Sequence, residues 1–179
     1  MNKVWTLFGT GAHARKAFHI AVLCGDSVAA FVDEQPDAQA PVPGVRVVSS
    51  LLLAATTPGD LFVAIGRPEV RRRLMDAAAA AGWRLPSLVH PSASVAPDAV
   101  LGEGVMVAAG AVVESGAMVA AGAVVTPRKI VRSGELWAGN PAQKLRDITE
   151  KDLEMFRRVV GHYIELANAH RPVEQKAAE

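Results

Sequence analysis

One cysteine, Cys24, stands in 179 residues. No intrachain disulfide framework is therefore possible, and with Cys24 inside an apolar, helix-spaced stretch a reducing compartment fits. Charge of one sign is equally lacking: 19 Lys and Arg against 18 Asp and Glu leave a net charge of +1. That balance argues against a nucleic-acid partner and against polybasic membrane attachment. Long apolar runs are missing too. None reaches membrane-spanning length, and the short one after Lys3 breaks at Gly9-Thr10-Gly11, so neither a membrane span nor a signal peptide is expected. The expectation is a soluble cytoplasmic protein with room for two small domains.

What the chain does have is a repeat. From Val89 to Ala142 it divides into nine six-residue units, VHPSAS, VAPDAV, LGEGVM, VAAGAV, VESGAM, VAAGAV, VTPRKI, VRSGEL and WAGNPA. The first position is large and apolar every time: Val89, Val95, Leu101, Val107, Val113, Val119, Val125, Val131 and Trp137. Residues six apart on extended backbone point to the same side. The fifth position is small through most of the run (Ala93, Ala99, Val105, Ala111, Ala117, Ala123), so one large and one small side chain per unit face a narrow interior. Gly, Pro, Asp and Ser supply corners. This predicts a parallel β-helix in which three units close a triangular coil, hence three coils.

Upstream, Val4 to Phe8 reads as a strand that stops at Gly9-Thr10-Gly11. Ala14, Ala17, Phe18, Ala21 and Val22 then follow at helical spacing until Gly25. Strand, glycine turn and helix is the order of a phosphate-cradling site, in which Gly11 permits close approach and the first free helix amides point at the ligand. It is also the order of any tight βα turn. A second strand, Val28 to Val32, ends in Asp33-Glu34, where an acid could hydrogen-bond a ribose or base. Val45 to Val48 and Asp60 to Ile65 read as further strands, with a helix at Leu51 to Ala55. Gly66 precedes a helix opened by Pro68 and Glu69, with a buried stripe of Val70, Leu74, Ala77, Ala78 and Ala81 and an exposed basic face of Arg71, Arg72 and Arg73. Arg84 to Val89 is expected as a last strand. Residues 1–85 thus form a Rossmann-like α/β domain, 86–142 the β-helix, and 143–179 an amphipathic helix, capped at Thr149-x-x-Asp152, with a polar tail. The α/β domain is too short for a dinucleotide, so a mononucleotide-sized ligand is the expectation.

Several segments together resemble one family, the sialic-acid O-acetyltransferases and nucleotide-sugar acetyltransferases of the hexapeptide-repeat class. They are Gly9 to Ala14, Phe31-Val32-Asp33-Glu34, Val63-Ala64-Ile65-Gly66, the Arg71 to Leu74 helix and Val89 to Ala93. The resemblance implies a left-handed prism, a homotrimer, acetyl-CoA as co-substrate without a metal, and a sugar or nucleotide-sugar bound at Gly9, Gly11, His13, Asp33 and Gly66. It implies a catalytic histidine after the stretch Gly110-Ala111-Val112-Val113-Glu114, but Ser115 stands there and one whole coil is missing before it. Acyl transfer needs a base within reach of the attacking atom. Glu114 is the acid at that place, with Ser115 beside it and His90 at the prism entry as the other candidates. A carboxylate is a poor base for an alcohol, and a neutral amine demands less of it. His13, at a helix N-terminus, should be neutral, and either orients a ligand or packs in the turn. Arg128, Lys129 and Arg132 either hold coenzyme A phosphates or are solvated corners. From Val125 onward the chain is more similar to γ-class carbonic anhydrases, including Gly139 to Ala142 and His162-Tyr163-x-Glu165-Leu166. Their zinc needs three histidines and the prism carries only His90, so that activity is not expected. The resemblance leaves two readings: an acetyltransferase, or an inactive homologue that binds a nucleotide-sugar or serves in assembly.

Overall fold

The computed structural model describes residues 2–35, 38–49 and 58–154. Residues 1–147 form one compact unit and 148–179 a second. The first begins with a parallel sheet, β1 (Val4–Phe8), β2 (Ser27–Val32), β3 (Val47–Val48) and β4 (Asp60–Val63), in the order β3-β2-β1-β4. Helix α1 (Ala12–Leu23) joins β1 to β2, and α2 (Pro68–Ala80) follows β4. Alternation along the strands explains the layering. Trp5, Leu7, Phe31 and Phe62 face α1 through Ala14, Ala17, Ile20 and Ala21. Phe8, Val32, Leu61 and Val63 face Met75 and Ala78 of α2, with Trp83 and Leu85. With a helix on each face and strand order reversing between β1 and β4, this is a small Rossmann-like domain.

Residues 88–139 form the hexapeptide β-helix. Two-residue strands pair in parallel at a spacing of eighteen. β5 (Leu88–Val89), β8 (Met106–Val107) and β11 (Val124–Val125) build a first face. β6 (Ser94–Val95), β9 (Val112–Val113) and β12 (Ile130–Val131) build a second. β7 (Val100–Leu101), β10 (Met118–Val119) and β13 (Glu135–Gly139) build a third. The interior is the expected set, with Val107, Val113, Val119, Val125 and Val131 from first positions and Ala111, Ala117 and Ala123 from fifth. Fourth positions make the corners: Gly104, Gly110, Gly116, Gly122 and Gly134 all take positive φ, and Arg128 does so at +61°.

The sixth positions point outward and decide what covers each face. On the first face Leu88, Met106 and Val124 join the α1 core, so α1 is buried from both sides. Each fully buried side chain of this size contributes about 1.5–3 kcal/mol, which fastens the α/β domain to the prism. The third corner meets α2: a Cβ on Gly104 would lie 3.0 Å from Met75 Cε, and one on Gly122 would lie 3.1 Å from both Met75 Sδ and Arg71 Nε.

That corner corrects the reading of α2. Arg71, Met75 and Ala78 are its buried residues, whereas Ala77 and Ala81 are exposed and Val70 and Leu74 only half-buried. The glycine corner leaves depth that long side chains fill, so the helix turns Arg71 and Met75 inward. Arg71 is 5% exposed, not part of an exposed basic face. Two further expectations change. Arg84 makes only an isolated bridge to Asp60, and the strand after it is confined to Leu88–Val89. Cys24 caps the C-terminal end of α1, exposed, with its thiol donating to Val89 O at 3.3 Å.

After Gly139 the chain does not simply leave the prism. It turns through a cis Asn140–Pro141 bond and returns as β14 (Ala142–Asp147), antiparallel to β13. Residues 143–147, expected with the helix and tail, thus belong to a hairpin. In the second unit Thr149 and Asp152 bond reciprocally: the Thr149 amide and hydroxyl donate to Asp152 Oδ2 at 2.8 and 2.6 Å, and the Asp152 amide donates back to Thr149 Oγ1 at 3.4 Å, as in a capping box. The expected helices at 51–55 and beyond 154 lie outside the described residues.

Candidate functional site

The residues expected to bind a nucleotide gather at the C-terminal ends of β1, β2 and β4, where an open α/β sheet carries its ligand crevice. Gly9 is the position that requires glycine: its φ is +107°, and a Cβ would lie 3.0 Å from Ala64 O and from Ile65 Cδ1. Its amide donates to Val32 O at 2.7 Å, tying the turn to both neighbouring strands. Gly11 has φ −78° and begins α1 without a side-chain cap or an acidic residue in the first turn. A Cβ there meets nothing within 4 Å, as at Gly66, so both leave open space beside backbone amides.

Asp33 accepts the Thr10 hydroxyl at 2.6 Å on Oδ2 and the Gln35 amide at 3.0 Å on Oδ1. The acid at the end of β2 therefore first fixes the glycine turn; lone pairs beyond these two bonds are what it can offer a ligand. His13, in the first turn of α1, lies with its ring tilted at 6.2 Å from that of Phe62, and its Nε2 is buried without a partner among the described residues. Burial, aided by Arg71 and Lys16, lowers its pKa to about 4. The imidazole is neutral, as expected, but for desolvation rather than for the helix end alone. Sequence reasoning missed Arg71. Its Nη1 donates to Ile65 O at 3.0 Å, placing the guanidinium beside the β4 end of this crevice. The signal available was one buried register in α2, hidden by two neighbouring arginines.

The prism candidates separate. His90 follows β5 on the first face, and its Nδ1 accepts the Ser92 amide at 3.0 Å and contacts the Ser92 hydroxyl at 2.8 Å. An amide only donates, so Nδ1 is the acceptor of that bond. Glu114 follows β9 on the second face, where its Oε2 accepts the Ser133 amide at 3.1 Å. Ser115 donates to Asp98 Oδ2 at 2.7 Å, a bond that pulls the Asp98 carboxyl below its ordinary range. The second corner is thus a polar ladder of Asp98, Glu114, Ser115 and Ser133, with His90 at a different corner of the same chain. Arg128 and Arg132 are exposed on turns of the last units, and Lys129 Nζ lies 6.0 Å from the Trp137 ring centre. Among the described residues no three His, Cys, Asp or Glu side chains are placed to hold a metal, and no helix is long and apolar enough to cross a membrane.

Residues 6–78 match the PglD N-terminal domain family. No curated protein sequence matches the chain significantly. Among solved structures, the acetyltransferase domain of PglB from Neisseria gonorrhoeae, in complex with acetyl coenzyme A, superposes with a TM-score of 0.59. It is 25% identical, over 81% of this chain and all of that one. A histidine-to-alanine variant of the GDP-perosamine N-acetyltransferase of Caulobacter crescentus, in complex with CoA and GDP-perosamine, gives a TM-score of 0.54. It is 26% identical, over 80% of this chain and 97% of that one.

Proposed function

We propose that the chain is an acetyl-CoA-dependent acetyltransferase that modifies a sugar, and specifically the amino group of a nucleotide-linked amino sugar. One observation carries this reading. The α/β domain and the prism are matched together, over nearly the full length of one acetyltransferase domain and of one acetyltransferase, the latter bound to CoA and GDP-perosamine. The nucleotide end is assigned to Gly9, Gly11, His13, Asp33 and Gly66, a reading that the glycine turn at the strand-order reversal supports.

At the prism end, Glu114 takes the proton as a neutral amine attacks the thioester carbonyl. The tetrahedral adduct then collapses with departure of the CoA thiolate. Ser115 and Asp98 hold the neighbouring turn of that corner, and His90, at another corner, contributes only if a second copy brings it near. A left-handed column of three coils in a homotrimer would do so. The apolar sixth positions of the second and third faces support that assembly, since Ile130 is 44% exposed and Val100 and Leu136 are only half-covered.

Arg128 supports a coenzyme A role for the last corners. It occupies a left-handed turn that Gly104, Gly110, Gly116, Gly122 and Gly134 fill elsewhere, a conformation that costs a side chain about 1 kcal/mol. With Lys129 and Arg132 it offers three cations to coenzyme A phosphates. The test is CoA release from acetyl-CoA with UDP- and GDP-linked amino sugars, read as free thiol and as acetylated product by mass. Wild type should turn over; Glu114→Ala should lose roughly a hundredfold or more of the rate, the scale of a general base. Arg128→Gly should bind CoA more weakly without losing stability. A wild-type chain that binds the nucleotide sugar but never releases thiol would leave the inactive-homologue reading in its place.

A further inference from the structure

We infer that Arg71 is an anion-binding residue of the α/β crevice, its guanidinium reserved for the diphosphate of a nucleoside diphosphate sugar, so that a free sugar is not the ligand. This rests on the crevice proposed above. It starts from a buried charge with no ion pair among the described residues, Glu69 on the same helix being the acid whose field reaches it. Arg71 is 5% exposed, and a buried guanidinium is ordinarily matched by a carboxylate. The ion pairs among the described residues are Arg72–Asp76, Arg84–Asp60 and Lys144 with Glu135 and Asp147; none includes Arg71. Of its five N–H donors, one is engaged among the described residues, on Ile65 O.

Two further groups at the same end of the sheet are also uncompensated. Helix α1 begins at Gly11 with neither a side-chain cap nor a first-turn acid, so twelve residues of aligned dipoles present a bare positive end. The His13 imidazole in its first turn has a buried Nε2 without a partner among the described residues. The loop that anchors Arg71 lies against the glycine turn, since a Cβ on Gly9 would meet Ile65 Cδ1 at 3.0 Å. A buried cation, an uncapped helix start and an orphaned ring nitrogen around one crevice ask for an anion of more than one charge. Linking a nucleoside to a sugar through a diphosphate supplies it; a free amino sugar brings charge of the wrong sign.

The competing role for Arg71 is a structural clamp, because its Nε also packs on the prism corner at Gly122. Calorimetry on the full chain separates the two, with UDP and GDP, the nucleosides uridine and guanosine, and inorganic pyrophosphate as probes. Arg71→Met keeps the length and removes the charge. It should weaken diphosphate binding by about tenfold or more, leave nucleoside binding unchanged and not lower Tm, since removing an unmatched buried charge is neutral or stabilising. Arg71→Lys, which keeps the charge but not the planar fork, should fall between. Unchanged diphosphate affinity in Arg71→Met, or an equal loss for nucleoside and diphosphate with a lower Tm, overturns the inference. If the wild type binds no diphosphate yet acetylates free amino sugars, the inference falls and the acetyltransferase reading stands. If diphosphate binding depends on Arg71 but no thiol is released, the reverse holds.

Discussion

Gly102→Ala tests the prism at its tightest backbone approach. A Cβ at Gly102 would sit 2.5 Å from the Ala121 amide nitrogen and 2.8 Å from its Cα. Both are backbone atoms of the next rung, so no rotamer change relieves the clash, and nearly 1 Å of separation must be found. The rungs are held there by Gly102 N–H to Val119 O and Gly122 N–H to Glu103 O, each 2.8 Å. Opening them costs about 1 kcal/mol per bond, added to about 1–3 kcal/mol for overpacking. We expect a loss of about 3–5 kcal/mol, or roughly 10 °C in Tm for a chain of this length. Gly11→Ala is the matched control, since φ is already −78° and the added methyl meets nothing; its Tm should hold. Thermal unfolding followed by circular dichroism reads both. If Gly102→Ala melts within about 2 °C of wild type, the stacking of rungs across this corner is not as close as described.

Met106, 1% exposed between the first prism face and α1, should cost about 2–5 kcal/mol as Met106→Ala, with a fall in urea midpoint. His13 sets a pH dependence. Its folded pKa, about 4, lies below the unfolded value of about 6.5, so the unfolded chain takes up the proton first. Its contribution is complete above pH 6.5 and is lost as pH falls towards 4, by at most about 3 kcal/mol. His13→Asn should flatten the stability profile in that window and leave it unchanged above pH 7.

The interior of the prism was legible because it depends on one rule, a large residue every sixth position, that no neighbour can override. The nine units run in register from Val89 to Trp137, and the valines point inward as the spacing requires. Gly9 and Asp33 were legible as a turn and an acid at strand ends. Their partners were not, because Ala64 and Thr10 meet them only through the sheet order β2-β1-β4. Arg71 and Met75 were misread for the same kind of reason. Periodicity along α2 favours the alanine-rich stripe, and only the glycine corner, far away in sequence, rotates the burial onto the longer side chains. The β14 strand was hidden because Gln143 to Asp147 is polar and mostly exposed, the signature of a tail as much as of an edge strand.

The outward sixth positions carry a rule of their own. Three faces wear three different coats: Leu88, Met106 and Val124 under α1, Ser94, Val112 and Ile130 on the next side, Val100, Met118 and Leu136 on the last. An insertion or deletion of six residues would leave the interior fully packed yet shift every later coat by one side, carrying Val124 away from α1 and the closing hairpin to another flank. Eighteen is the smallest length change that the exterior tolerates, so lineages of such columns should lengthen and shorten by whole turns.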